Sequence, residues 1–213
     1  MHVHSSVIVI VQFGCRYAVS DEHNLCFYSA FGVQAYVQLR TSEAGSTGFR
    51  GFTLALTVSG PATVDGFVDA AQQAGATVLK PAAKSLWGYG GVVQAPDGTI
   101  WKIATSAKKD TGPATREIDQ FVLLIGVEDV KATKQFYIGR GLTVAKSFGG
   151  KYVEFAAGQS SRVTLALYKR SALAKEVGVP VDGSGSHRIV LGSNADTFTD
   201  PDGFAWEAAP HGE

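Results

Sequence analysis

Cysteine is scarce in this chain of 213 residues: there are two, Cys15 and Cys26, both within the first thirty positions. A disulfide framework needs several cysteines spread over the fold, so these two read as small apolar side chains in a reducing compartment. A surplus of one charge is missing as well. Nineteen basic residues balance nineteen acidic ones, which removes bulk attraction to nucleic acid or to an anionic membrane. Long apolar runs are absent, and the longest, Val7 to Val11, falls far short of the roughly 20 residues of a spanning helix. No Lys or Arg stands ahead of that run in Met1 to Ser6, so the expectation is a cytoplasmic chain. A secretory leader or a lipid-modified Cys15 is the alternative. No Lys-Ser or Lys-Thr follows Gly88-Tyr89-Gly90-Gly91, which excludes a phosphate loop, and no Ser-His-Asp arrangement stands at any motif.

What the chain does have is a core and a repeat. Hydrophobic residues make up 45% of it and charged residues 18%, enough to bury a core in one large domain or two small ones. Ala95-Pro96-Asp97-Gly98-Thr99-Ile100-Trp101-Lys102 matches Asp200-Pro201-Asp202-Gly203-Phe204-Ala205-Trp206-Glu207 in pattern. Earlier in each half a helix-like stretch carries Phe-Tyr, as Phe27-Tyr28 and Phe136-Tyr137. The Phe-Tyr pairs lie 109 residues apart and the Pro-Asp-Gly turns 105, so two markers share nearly one offset and the chain reads as a tandem duplication. The polar stretch AKKDTGPATRE between the halves has Gly and Pro and no apolar periodicity, as a linker does. The expected organisation is a first domain of residues 1–107, a linker of 108–117, and a second domain of 118–213 with a truncated last module.

Local patterns fill in the elements. Phe52 to Val58 is rich in Thr, Leu and Val and reads as a strand. Pro61 to Ala74 carries Val64, Phe67, Val68 and Ala71 at helical spacing, and Gly75 ends it. Strands follow at Thr77 to Leu79, Gly91 to Gln94 and Ile100 to Ala104. The last two are joined by Pro-Asp-Gly, where Pro presets φ and Gly takes the left-handed conformation. The second half repeats this β-α-β-β-β order with a strand at Phe121 to Ile125, a helix at Val130 to Ile138, and strands at Leu142 to Ser147, Tyr152 to Ala156 and Val163 to Tyr168. A short helix at Ser171 to Val177 and strands at His187 to Gly192 and Phe204 to Ala208 complete the reading. Only Ser193 to Thr197 stands where the helix of the last module belongs. The first module, residues 7–41, has its strand at either Val7 to Val11 or Phe13 to Val19. The class is α+β.

These motifs resemble the vicinal-oxygen-chelate superfamily, to which glyoxalase I, the bleomycin-resistance proteins and the extradiol dioxygenases belong. The likeness rests on Phe136-Tyr137 followed by Gly141-Leu142-Thr143-Val144, on Asp200-Pro-Asp-Gly-x-x-Trp-Glu207, and on the run from Ala74 to Pro81 followed by Trp87-Gly-Tyr-Gly-Gly91. It covers nearly the whole chain and is weakest over residues 1–20 and 193–197. It implies tandem βαβββ modules forming two open β-cups with helices packed outside, around a ligand and often a divalent metal.

Carried over residue by residue, the resemblance treats the halves differently. In the first half its metal-ligand positions fall on Thr53 and Lys102, whose hydroxyl and ammonium cannot replace an imidazole and a carboxylate. That half is expected to be metal-free. In the second half the positions fall on Gln120, His187 and Glu207, and a fourth on Ala166. The implied centre is a divalent cation (Zn, Ni, Mn or Fe) on three ligands with open coordination positions, Glu207 doubling as the catalytic base. Strand alternation places His187 with Ile189 and Leu191, Glu207 with Ala205, and Gln120 with Val122 and Leu124. Each polar group therefore has apolar neighbours on its own face, and a buried carboxylate needs a partner, a proton or a metal. The plain alternatives are a Glu207–Arg188 salt bridge and a hydrogen-bonded His187.

Trp87, Tyr89, Phe148, Tyr152 and Tyr168 are the aromatic candidates for a substrate pocket, with core or strand-edge packing as the alternative. Two functions follow. One is a metal-dependent lyase, isomerase or dioxygenase acting on a small substrate with vicinal oxygens. The other is a metal-free binding protein of bleomycin-resistance type that sequesters a drug or metabolite. Either fits a monomer or a homodimer.

Overall fold

The computed structural model describes residues 18–21, 24–27, 37–40, 47–157, 163–184, 187, 189–193 and 196–208. In chain order its elements are β1 (Ala18–Asp21), β2 (Asn24–Phe27), β3 (Val37–Arg40), β4 (Thr47–Gly48), β5 (Phe52–Thr57), α1 (Pro61–Gln73), β6 (Thr77–Ser85), β7 (Gly88–Gln94) and β8 (Ile100–Thr105). There follow β9 (Gln120–Val127), α2 (Val130–Ile138), β10 (Val144–Phe148), β11 (Tyr152–Phe155), β12 (Val163–Lys169), α3 (Arg170–Val177), β13 (Gly183–Ser184), β14 (Ile189–Ser193), β15 (Phe198–Thr199) and β16 (Ala205–Ala208). The described residues fall into two compact units, one of Thr53–Leu123 with Glu176–Val179, the other of the remainder. These units do not coincide with the two halves of the sequence. Among the described residues no helix is long and apolar enough to cross a membrane.

In the first unit the strands run in the order β5-β8-β7-β6, with β5 parallel to β8 and the other pairs antiparallel. This is the β-α-β-β-β unit that the apolar spacing predicts. Leu54 and Val93 both pair with Trp101, so alternation gathers Leu54, Leu56, Val93, Trp101 and Ile103 on one face. The buried side of α1 (Val64, Phe67, Val68, Ala71) covers that face, and a Cβ on Gly91 would sit 3.2 Å from Val68. Burying each large apolar side chain here contributes about 1.5–3 kcal/mol. Strand β6 runs past its expected end at Leu79 through Pro81. A proline fits there because β6 is an edge strand and its register slips between Lys80 and Ala83.

The stretch expected as a linker is bonded to α1 within the first unit. Helix α1 starts at Pro61 behind Gly60, which has no side chain to cap it, and the Asp110 carboxylate instead accepts from the Ala62 N–H at 2.8 Å. A Cβ on Gly60 would stand 2.8 Å from that carboxylate oxygen, so the glycine makes room for a cap borrowed from 48 residues downstream. Thr115 N–H also donates to Thr63 Oγ1 at 3.1 Å.

The second unit holds the sheet β1-β2-β3-β14-β16-β15, and β10-β11-β12 stand beside each other in antiparallel order. β14 is parallel to β16 and antiparallel to β3. The N-terminal module corrects the sequence reading: Phe27 ends strand β2 rather than lying in a helix, because residues 24–27 pair with 37–40 along their whole length. Val7 to Val11 lies outside the described residues, while Ala18 and Val19 open β1. His187 precedes β14 instead of starting it.

One hydrogen-bonded cluster joins the motifs of this unit. Tyr137, fully buried on α2, donates its hydroxyl to Asp200 Oδ2, and Trp206 Nε1–H donates to the Tyr137 oxygen at 3.3 Å. Asp200 Oδ1 accepts from the N–H groups of Asp202 at 2.9 Å and Phe204 at 2.8 Å, which shapes the Asp-Pro-Asp-Gly turn, and Gly203 closes it at φ +88°. Asp202 accepts in turn from Thr133 Oγ1 and from the Glu128 N–H, both at 2.8 Å.

Burial pushes the Tyr137 hydroxyl well above its usual 10.0, with the Asp200 charge adding to the shift, and burial likewise raises Asp200. A raised tyrosine stabilises the fold fully below the unfolded value of 10.0 and loses that contribution as pH climbs toward its folded value. Tyr137→Phe is expected to lower stability at pH 7 by about 1–3 kcal/mol, since it leaves a buried carboxylate oxygen without its donor. Urea unfolding between pH 7 and 11 should also show a shallower loss of stability above pH 10 in the variant. Equal slopes would mean that Tyr137 titrates as an exposed tyrosine does.

Candidate functional site

Strands β10, β11 and β12 alternate between the core and an open face. Val153, Phe155 and Leu167 point inward and are buried, and the Phe155 ring meets Tyr137 edge-on at 5.6 Å. The opposite face follows from register: Phe148 pairs with Tyr152, Tyr152 with Tyr168, and Lys146 and Ala166 both with Glu154. Phe148, Tyr152 and Tyr168 therefore form one row, with ring centroids 6.0 Å apart at each step. Phe148 is 64% exposed at the outer end, and the two tyrosines are half-buried. These three pocket candidates are brought together.

The next row on that face holds a carboxylate that the sequence reading passed over. Glu154 accepts from the Tyr152 hydroxyl at 2.9 Å and from Lys146 Nζ at 2.9 Å, and its side chain is only 14% exposed. It lies directly across from Ala166, the position that lacks the family's acidic ligand. The signal was legible as Tyr-x-Glu in one strand beside Ala-x-Tyr in the next, but it needs the register to be seen. Lys146 is 60% exposed, so its bond to Glu154 is a surface contact of small net value that a cationic group could replace. The face thus offers a flat aromatic surface next to a partly sheltered carboxylate.

The other two aromatic candidates are placed differently. Tyr89 lies on the α1 side of its sheet, donating to Asp65 Oδ1 at 2.8 Å and to the Ala82 carbonyl at 3.3 Å, and the Asp65 bond raises its hydroxyl. Trp87, 84% exposed, stands at the tip of the β6–β7 hairpin beside Leu86.

The three candidate metal ligands have different surroundings. His187 packs flat on Phe204, centroids 4.0 Å apart, and its Nδ1 lies 2.6 Å from the Arg50 carbonyl. A carbonyl can only accept, so Nδ1 carries a proton, and in the neutral ring Nε2 is the nitrogen with the lone pair. Nε2 has no hydrogen-bond partner among the described residues, and a Cβ on Gly203 would come 3.5 Å from it. Glu207, half-buried, belongs to another row. In the β14–β16 pairing Leu191 faces Trp206 while Gly192 faces Glu207, so Glu207 projects to the side opposite Leu191, Trp206 and the core. The His187 ring stacks on Phe204, two residues before Trp206 and buried like it. Gln120 heads β9 in the other compact unit, where Phe121 packs on Trp101 at 6.1 Å and alternation turns Gln120 away from that core. No group of three His, Cys, Asp or Glu residues able to hold a metal occurs among the described residues.

The paired βαβββ arrangement decides the fold. Glyoxalase I of Zea mays superposes at a TM-score of 0.53 over 96% of this chain and 86% of its own, with 12% identity. A candidate dioxygenase of Bacillus subtilis superposes at 0.56 over 96% and 80%, with 10% identity. The chain has the vicinal-oxygen-chelate fold. A variant of the maize glyoxalase I gives 0.52 over 96% and 88% at 14% identity. No family profile matches the chain, and no curated protein matches its sequence.

The different surroundings of His187, bonded to the Arg50 carbonyl, and of Glu207 in β16 make a direct test. Whatever zinc, nickel, manganese or iron the protein retains after incubation, His187→Ala is expected to change it and Glu207→Ala to leave it as in the wild type. Elemental analysis of both variants checks this, and equal loss of one ion per chain in the two would show a shared site.

Proposed function

We propose that this chain is a binding protein for a small aromatic molecule, seated on the open face of β10, β11 and β12. One observation carries the reading: the row Phe148–Tyr152–Tyr168 with Glu154 beside it. Aromatic rings supply a large contact area at low entropic loss, and stacked or edge-on ring pairs are worth about 0.5–1.5 kcal/mol beyond burial. Glu154 supplies the polar anchor that fixes orientation, and it favours a ligand carrying a donor or a positive charge. This is the sequestering role that stands beside catalysis among the functions the sequence implies.

A second reading has one observation in its favour. The His187 tautomer, with Nδ1 held by a backbone carbonyl, is the arrangement that readies Nε2 for a metal or a proton. Among the described residues no group of three His, Cys, Asp or Glu side chains forms there.

Flat aromatic probes with and without an amino group, screened by tyrosine fluorescence quenching, test the proposal. Tyr152→Ala and Tyr168→Ala are each expected to weaken the best probe by about tenfold or more, in line with about 1–3 kcal/mol per stacked ring. Glu154→Gln should weaken only probes that carry the amino group. If all three variants bind every probe as the wild type does while keeping its circular dichroism, this face is not the binding site.

A further inference from the structure

Thr53 in β5 is fully buried, yet its Oγ1 has no hydrogen-bond partner among the described residues. A buried hydroxyl in that state is costly, so natural folds rarely leave one without a reason. Its direction follows from register. Ala55 and Val92 both pair with Lys102, and alternation therefore puts Thr53, Ala55, Val92 and Lys102 on one face, opposite the Leu54–Trp101–Val93 row that α1 covers. Lys80 pairs with Val92 and lies on the same face. Both ammonium groups converge on one residue: Lys102 Nζ meets Glu176 Oε1, and Lys80 Nζ donates to the Glu176 carbonyl. The Lys102 and Glu176 side chains are 32% and 31% exposed, so solvent and solutes reach the pair. An ion pair that wet is held weakly, and its carboxylate can exchange with one from solution.

We propose that this face of the first unit is a binding site for the carboxylate of a small organic acid, which Glu176 occupies as an internal stand-in. Lys102 supplies the charge that meets the carboxylate, and Lys80 supplies a second ammonium beside it. Thr53 supplies a hydroxyl that gains its acceptor when the ligand arrives. The donor set suits an anion and no cation, since it holds two ammonium groups and a hydroxyl.

Acetate is the probe, titrated into the full chain at constant ionic strength with chloride as the control, while the Thr53 methyl signal is followed by NMR. Glu176→Gln removes the internal competitor and is expected to tighten acetate binding about tenfold. Adding Lys102→Met to that variant should abolish saturable binding. Thr53→Val, nearly isosteric, should raise the unfolding temperature of the free protein and yet weaken acetate, which a mere packing role would not do. Should Glu176→Gln fail to fold, Thr53→Val in the wild-type background carries the same test. Inorganic phosphate binding as tightly as acetate would overturn the carboxylate assignment. An acetate response unchanged by Glu176→Gln, or by Thr53→Val, would overturn the site.

Discussion

The hydrogen bond from Tyr137 to Asp200 is the constraint on which the second unit is built. A carboxylate this buried is tolerable only with its lone pairs taken, and here the tyrosine and two backbone N–H groups take them. Holding Asp200 holds the Asp-Pro-Asp-Gly turn, and the turn sets the phase of β16. That phase sends Trp206 into the core against Tyr137 and Phe198, with ring centroids 5.1 and 5.4 Å away. It equally sends Glu207 to the other side. The sequence of the turn thus decides which side of the sheet receives a carboxylate.

The first unit closes the matching turn by other means. Ala95 stands where Asp200 does, and Asp97 takes over by accepting from the Thr99 N–H at 2.9 Å and the Thr99 hydroxyl at 2.7 Å. Trp101 is still buried. The two turns thus share a buried tryptophan three residues after the glycine and differ in the carboxylate that shapes them.

Much of this was legible in the sequence where a pattern is local. Helix α1, helix α2, the strands on either side of the first Pro-Asp-Gly turn and the strand after the second follow from spacing, glycine and proline alone, while β15 ahead of the second turn carries no such signal. Phe27-Tyr28 misled, because a Phe-Tyr pair is equally at home in a strand and its partner strand, residues 37–40, carries no turn signal close by. Which residues of β14 share a face with Glu207 could not be read either. Alternation states which residues of one strand share a face, but the phase between two strands comes from their pairing, and a shift of one residue reverses it. Glu154 was missed for the same reason, since its place beside Ala166 and Tyr152 exists only across strands.

The pairing of β3 with β14 bears on how the molecule is made. Leu39 lies opposite Ile189, 150 residues later in the chain, and only then does the N-terminal meander gain its neighbour. Contacts so distant in sequence carry a large loop-closure entropy and form late. Strands β5 to β8 with α1 can assemble from contiguous chain, whereas the meander β1 to β3 completes its sheet only across that long loop, so the two sheets differ in the entropy that each must overcome.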